Sequence, residues 1–141
     1  MTTRAEAFDH WLLQLRHPDS LKHRGELEDS KNPNARCCLG HLCHALGIES
    51  YVGQTRVYYQ NNSTVLPEEV AELLDITTVG HMRKPVPYDD RVYYTLSKLN
   101  DESNIDTVGI ADVIEKQLVE DNFFPFRNCL NQATDDEEKV S

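Results

Sequence analysis

Apolar residues near the N-terminus recur at the spacing of one face of an α-helix. The stripe consists of Phe8, Trp11, Leu12 and Leu15. Thr3 and Glu6 have the spacing of a capping box, in which each side chain binds the backbone N–H of the other residue. Pro18 follows the pattern, and proline keeps the residue before it out of helical dihedrals. The sequence therefore predicts a first helix that begins at the capping box and ends before this proline.

The same spacing predicts four more helices, at about 39–46, from Pro67, from about Asp89 and from an Asp106 cap. Their buried sides are Leu39, Leu42, Cys43 and Leu46; Val70, Leu73 and Leu74; Val92, Tyr93, Leu96 and Leu99; and Ile110, Ala111, Ile114 and Leu118. Gly47 suits the end of the second helix, and Ile105 with Ile110 suits a hydrophobic staple at the start of the last. The aromatic run at 123–126 is expected to pack back on the domain.

Short strands are predicted between these helices. Two of them, at about 25–28 and 35–39, are joined by an Asn-Pro-Asn turn at 32–34, and a third covers about 55–60. Residues 77–87 contain one glycine and two prolines and are predicted to form a loop. The expected fold class is α+β, a mainly helical single domain with a small antiparallel sheet of short strands.

The length of 141 residues suits one domain, which we place at residues 1–132. Residues 133–141 are acidic and short of apolar residues, and we expect a disordered tail there. The start of the chain lacks the apolar core of a signal peptide, and no run of 18 apolar residues occurs. The sequence therefore predicts a soluble protein that stays in the cytoplasm of the cell that makes it.

The net charge of −10 comes from 24 acidic and 14 basic residues. Binding to long nucleic acids depends mainly on cationic contacts with phosphates, so this charge argues against DNA or RNA as a partner. A small anion is a different case, because a local pocket can oppose the charge of the whole chain.

Five possible metal ligands fall within eight residues: Cys37, Cys38, His41, Cys43 and His44. On one helical face, Cys37, His41 and His44 would offer three ligands to a zinc ion. Structural zinc sites usually combine two ligand pairs across a longer span, and no second pair follows here. The simpler interpretation is that the cysteines are reduced thiols. In that case Cys43 is buried among leucines, and His41 and His44 lie on the solvent side. No cofactor is expected.

The motif Cys-Cys-Leu-Gly-x-Leu-Cys at 37–43 also carries a family resemblance. It is followed by Leu-Pro-x-x-Val at 66–70, Leu-Asn-Asp at 99–101 and Ile-Ala-Asp-x-Ile-Glu at 110–115. In this order, across about residues 8–118, the set resembles a widespread family of small, mostly uncharacterised phage proteins. That family commonly has an apolar residue at position 41, which speaks against a shared metal site. Gly40 within a short helix indicates close packing against another backbone.

Two windows of the chain, 50–67 and 76–88, contain no acidic residue. Their formal charge is +3, and the remaining residues therefore carry −13. Arginine and lysine bind phosphate, and aromatic rings stack on bases, so the windows suit an anionic ligand with flat rings. The predicted ligand-binding residues are Arg56, Tyr58, Tyr59, His81, Arg83, Lys84 and Tyr88. The alternative is a solvated basic loop beside an ordinary strand.

None of the common catalytic motifs occurs: there is no Gly-x-Ser-x-Gly elbow, no phosphate-cradling loop and no His-Glu-x-x-His. We therefore expect a non-catalytic binding protein. The phage resemblance implies an accessory role against host defence, such as the sponges of the anti-CBASS type that sequester cyclic oligonucleotides. It also implies a homo-oligomer, a dimer or tetramer, in the cytoplasm of the infected host. The alternatives are an acidic inhibitor of a host protein and a small zinc-binding module.

Overall fold

The computed structural model of the chain describes residues 2–129. The helices are α1 (Arg4–Arg16), α2 (Cys38–Ala45), α3 (Glu68–Leu74), α4 (Leu96–Glu102) and α5 (Thr107–Val119). The strands are β1 (Leu21–Lys22), β2 (Glu28–Asp29), β3 (Asn32–Arg36), β4 (Ser50–Val52), β5 (Val57–Tyr59), β6 (His81–Tyr88) and β7 (Arg91–Thr95). The tail predicted at 133–141 lies outside the described residues.

The first and last helices confirm the predictions made from hydrophobic spacing. Thr3 and Glu6 form both hydrogen bonds of the capping box, and the predicted stripe of α1 is buried. The side chain of Asp106 accepts a hydrogen bond from the backbone N–H of Gly109 and caps α5. Ile105 and Ile110 are both buried, as a hydrophobic staple requires.

The strands are arranged as an α+β fold, but not as one small antiparallel sheet. There are three separate sheets among the described residues, in the orders β1-β3-β2, β4-β5 and β6-β7. The pair β1–β3 is parallel, and the other pairs are antiparallel. The structure is 41% helical, and seven strands of the described residues form the three sheets. The predicted description of the domain as mainly helical therefore overstates its helical content.

The turn between β2 and β3 lies earlier than the sequence suggested. Asn32, Pro33 and Asn34 belong to β3, and the turn falls at residues 30–31. There the carboxylate of Asp29 accepts a hydrogen bond from the backbone N–H of Lys31, so aspartate rather than proline makes the turn. The predicted strand at 35–39 also ends early, because Cys37 caps α2 and Cys38 begins it.

The largest correction concerns residues 77–99, predicted as a loop followed by a helix from about Asp89. Residues 81–95 instead form the hairpin β6–β7, and only α4 is helical. Asp89 and Asp90 make the turn with positive φ of 48° and 67° and cap no helix. The apolar spacing could not distinguish a helix from this hairpin, because Tyr93 and Leu96 would be buried in both. The difference lies at Val92, which is exposed in the hairpin. The two prolines fit β6 because both strands of a two-stranded sheet are edges.

α1 lies at the centre of the core and contacts α2, α3 and α5. The indole N–H of Trp11 donates to the carbonyl of Cys38 at 2.8 Å, which ties α1 to α2. The predicted packing of the aromatic run is confirmed: Phe123 is buried against Phe8 and pairs with Met82 of β6. Among residues 2–129, no helix has both the length and the apolar character needed to cross a membrane.

Candidate functional site

The predicted ligand-binding residues of the first window lie on and under the hairpin β4–β5. The Tyr58 ring stacks on the Tyr51 ring with centroids 5.3 Å apart, and Arg56 donates to the Ser63 hydroxyl at 3.4 Å. Tyr59 is only 2% exposed, because neighbouring side chains of a strand point to opposite faces. Tyr59 therefore belongs to the core and is closed to a ligand.

The Tyr59 hydroxyl is part of a buried polar network. It donates to a carboxylate oxygen of Glu28 at 2.6 Å, and the same oxygen accepts the Nε–H of Arg36 at 2.8 Å. Burial, and then the hydrogen bond to Glu28, raises the pKa of Tyr59. The network joins β2, β3 and β5, and the ion pair compensates the two buried charges.

The residues of the second window do not meet those of the first. Arg83 and Lys84 are consecutive in β6 and therefore line two different grooves. His81 is half-buried with its ring edge-on to Phe124 at 4.7 Å, and this burial lowers its pKa. Tyr88 lies at the far end of β6 beside the hairpin turn. None of the described grooves combines Arg56 or Tyr58 with Arg83 or Lys84.

The groove around Arg83 brings together three arginines from distant parts of the chain. We call it the arginine groove, and its volume is about 600 Å³. Its lining residues are Arg4, Glu72, Asp75, Arg83, Asp121, Phe123, Pro125, Phe126 and Arg127. α1 contributes Arg4, β6 contributes Arg83, and the segment after α5 contributes Arg127 with the aromatic rings. A hydrogen bond from the Phe126 N–H to the Asp75 carboxylate at 3.0 Å holds that segment against the end of α3.

Two of the three guanidinium groups in this groove bind backbone carbonyls. Arg4 donates through Nε to the carbonyl of Leu74 at 2.7 Å, and Arg83 donates through Nη1 to the carbonyl of Asp121 at 2.8 Å. The carbonyl of Leu74 lies at the C-terminus of α3, where the helix dipole favours a cation, and Asp121 lies two residues beyond the end of α5. Within residues 2–129 the ion pairs belong to Arg16 and Arg36 alone, so the groove arginines keep N–H donors for other partners.

Three carboxylates, those of Glu72, Asp75 and Asp121, line the groove as well and make its formal charge zero. A pure phosphate site would be expected to carry an excess of cations. The groove suits instead a ligand that combines an anionic part with N–H donors. A nucleotide has both, in its phosphates and in the amino groups of its bases.

Sequence reasoning selected Arg83 but missed Arg4, Arg127 and Phe126. Arg4 donates to a carbonyl 70 residues away along the chain, and Arg127 lies at the other end of the described residues. No local spacing signals such a convergence. The available hint was the aromatic run at 123–126, which was expected to pack back on the domain.

The Cys/His cluster is largely buried. Burial raises the pKa of the Cys37 thiol to about 12 and also raises the pKa values of Cys38 and Cys43, so all three are protonated and unreactive at neutral pH. Cys43 is buried and His44 is exposed, as predicted. The prediction that His41 lies on the solvent side was wrong, because His41 is 0% exposed. Its Nε2 lies 2.8 Å from the carbonyl of Leu21.

The same contact bears on the zinc hypothesis. Within the described residues there is no group of three or more His, Cys, Asp or Glu side chains placed to hold a metal ion. Cys37 lies at the N-cap of α2, where its sulfur accepts the backbone N–H of Gly40, and His41 is engaged with Leu21. The three proposed ligands therefore do not form a site as they stand.

Comparisons with protein-family models, curated proteins and solved structures found no match to this chain.

Proposed function

We propose that the protein is a non-catalytic binding protein that holds a small nucleotide in the arginine groove. The observation that supports this proposal is the convergence of Arg4, Arg83 and Arg127 with Phe123 and Phe126 around one groove. The volume of about 600 Å³ lies within the usual range for small-molecule sites.

The chemistry of the lining fits the two parts of a nucleotide. Guanidinium groups form forked hydrogen bonds with phosphate oxygens, and an aromatic ring offers a face for base stacking. Phe126, which is half-buried, can take this role, whereas Phe123 is buried against Phe8. The carboxylates of Glu72, Asp75 and Asp121 can accept hydrogen bonds from the N–H groups of a base. In this arrangement the acidic residues select the base and the arginines hold the phosphates.

The resemblance to phage proteins extends this proposal to a biological role. A protein that binds a signalling nucleotide without converting it lowers the free concentration of that signal. We propose that the chain sequesters a cyclic oligonucleotide in the cytoplasm of an infected bacterium and so counters host defence. A dimer or tetramer belongs to this proposal, because sponges of this kind commonly form their sites in oligomers.

The net charge of −10 favours a second candidate, an acidic inhibitor that docks on a basic face of a host protein. The two candidates differ in what stabilises the purified chain. A nucleotide that binds only the native state raises its unfolding temperature by mass action. A protein inhibitor gives no shift with any nucleotide and binds instead a basic partner with strong salt dependence.

The test is calorimetric titration of the purified chain with cyclic di- and trinucleotides, after a thermal-shift screen has selected a ligand. Arg127→Ala is expected to weaken binding by roughly 1–3 kcal/mol, the contribution of hydrogen bonds to charged groups. Arg127 has no hydrogen bond or ion pair with residues 2–129, so this change should leave the fold intact. Arg83→Ala should weaken binding as much.

Lys84→Ala and Arg56→Ala are the matched controls. Each removes one positive charge from a residue predicted by sequence but located outside the arginine groove. Both should bind the nucleotide as the unchanged chain does. Equal losses in all four variants would mean that overall charge, not the groove, governs binding, and would overturn the assignment of the site.

A further inference from the structure

A second, smaller pocket lies at the junction of α1, β3 and α2. Its volume is about 160 Å³, and its lining residues are Gln14, His17, Asp19, Ser20, Asn34, Arg36 and His44. None of them belongs to the arginine groove. The pocket has room for an ion or for one charged group of a larger ligand, but not for a nucleotide base and sugar.

The pocket is built on a fixed cation. Arg36 is 5% exposed, and its Nε donates to Glu28 at 2.8 Å, which fixes the direction of the side chain. A guanidinium has five N–H donors, and this ion pair uses the one on Nε. The charge of Arg36 is balanced by Glu28, so the pocket offers an anion the remaining N–H donors of a guanidinium that is already fixed in position.

The rim of the pocket adds further donors. Nδ1 of His17 accepts the backbone N–H of Asp19 at 3.1 Å, so the proton of the neutral ring lies on Nε2. His44 and the side-chain amide of Asn34 line the same space. Asp19 is the single carboxylate of the lining, and Glu28 behind the pocket is already paired with Arg36. Protonation of His44 adds a positive charge to this lining.

We propose that this pocket binds a tetrahedral oxyanion, either free phosphate or sulfate or the terminal phosphate of a larger ligand. Arg36 supplies the central N–H donors, and His17, His44 and Asn34 supply hydrogen bonds from the rim. This site is independent of the arginine groove and does not require the proposed nucleotide function.

Binding at this pocket should be stronger in mild acid. Burial and the neighbouring charge of Arg36 lower the pKa of His44, so its ring is neutral at pH 8 and gains a proton only at lower pH. The charged and titratable groups around the pocket are His17 and Asp19 after α1, Arg36 of β3 with Glu28 and Tyr59 behind it, and His41 and His44 of α2. Of these, the imidazole of His44 is the group whose gain of a proton in mild acid adds charge to the pocket.

The experiment is a sulfate titration of the full chain, monitored by the imidazole nitrogen resonances of its histidines. Sulfate keeps its charge over the whole range, and sodium chloride at equal ionic strength is the blank. Saturable shifts are expected at His17 and His44, with none at the exposed His10 of α1. Affinity at pH 6 should exceed that at pH 8 by about threefold or more, because a bound dianion favours the protonated form of His44.

Asn34→Asp tests the site without disturbing the buried ion pair. Asn34 is exposed, and an added carboxylate should weaken sulfate binding by about tenfold. Asn104→Asp, an exposed position outside the pocket, makes the same change in net charge and should leave sulfate affinity unchanged. Equal losses in both variants, shifts that grow without saturation, or equal affinity at pH 6 and pH 8 would overturn the proposal.

Two further titrations separate the sources of the anion and the two proposed sites. The first compares the affinities of AMP and inorganic phosphate, measured at His17 and His44. If AMP binds at least as tightly, the natural ligand is a phosphomonoester. If AMP binds more weakly, the natural ligand is the free ion. Arg127→Ala should not change sulfate affinity. The pocket can therefore be confirmed even if the arginine groove binds no nucleotide.

Discussion

His41 shows how one buried residue can make the stability of this chain depend on pH. Burial lowers its pKa to about 4, with smaller contributions from the charges of Arg36 and His44. Its Nε2–H donates to the carbonyl of Leu21, and its Nδ1 lies 3.5 Å from the amide nitrogen of Gln14. The hydrogen bond to Leu21 by itself raises the pKa of His41, but burial outweighs it, so protonation is unfavourable in the folded state.

The sign of the effect follows from the two pKa values. In the unfolded chain His41 takes up a proton near pH 6.5, and in the folded chain only near pH 4. The free energy of unfolding is therefore unaffected above pH 6.5 and falls as the pH decreases towards 4. The loss over this window is roughly 3 kcal/mol if His41 acts alone.

Urea unfolding at pH values from 7.5 to 4 checks this prediction. His41→Gln can still donate an N–H to Leu21 but does not titrate, so its free energy of unfolding should fall less steeply below pH 6.5. The control is His10→Gln, which changes an exposed histidine of the same chain. Identical pH dependence in the His41 variant and the unchanged chain would contradict the assignment.

At the scale of elements, the position of α2 is fixed by close contact between its own backbone at Gly40 and the backbone of Leu27. A Cβ at Gly40 would lie 1.8 Å from the carbonyl oxygen of Leu27 and 2.7 Å from its carbonyl carbon. The Leu27 carbonyl also accepts the N–H of Cys37 at 3.2 Å, which fixes the entry into the helix. The close backbone packing predicted for Gly40 is confirmed, and its partner is the chain just before β2.

Gly40→Ala should therefore destabilise the protein even though alanine is the better helix former. Helix propensity alone would favour alanine by about 1 kcal/mol. Separating α2 from the backbone at Leu27 should cost more than this gain, for a net loss of roughly 1–3 kcal/mol.

Gly109→Ala in α5 is the matched control for this prediction. There the nearest atom is Cγ1 of Ile105 at 2.7 Å, a side-chain atom and not a backbone atom, so a smaller loss than at Gly40 is expected. The urea midpoints of both variants decide the comparison. A more stable Gly40→Ala protein would show that α2 can shift away from Leu27 without loss.

At the scale of the whole molecule, one apolar core connects the helices and the hairpin β6–β7. Leu96 is fully buried where β7 turns into α4, and it contacts the position that a Cβ on Gly80 would occupy. Leu96→Ala should lower the free energy of unfolding by roughly 2–5 kcal/mol, the usual range for a buried leucine.

Val92→Ala, in the same hairpin, is the control because Val92 is 53% exposed. Its effect should stay within about 0.5 kcal/mol, as for most surface positions. A comparable loss in both variants, measured by urea unfolding, would mean that Val92 is buried together with Leu96. That result would favour the helix that the apolar spacing had first suggested for this segment.

The sequence by itself determined the parts of the molecule that depend on neighbours along the chain. α1 and α5 were predictable because a cap and its helix lie within one turn, as with Thr3 and Glu6, and because helical spacing identifies a buried stripe. The close packing of Gly40 was predictable because glycine inside a helix has few other uses.

Only the tertiary structure decided what depends on contacts between distant residues. The residues from Val92 to Leu99 fit a helix or a strand followed by a helix equally well, and pairing with β6 selects the second. Burial of His41 follows from the position of Leu21 in β1, and the arginine groove forms because Arg4 reaches the end of α3. Such contacts leave no periodic signal in the sequence, because their energies arise only when separate elements have packed together.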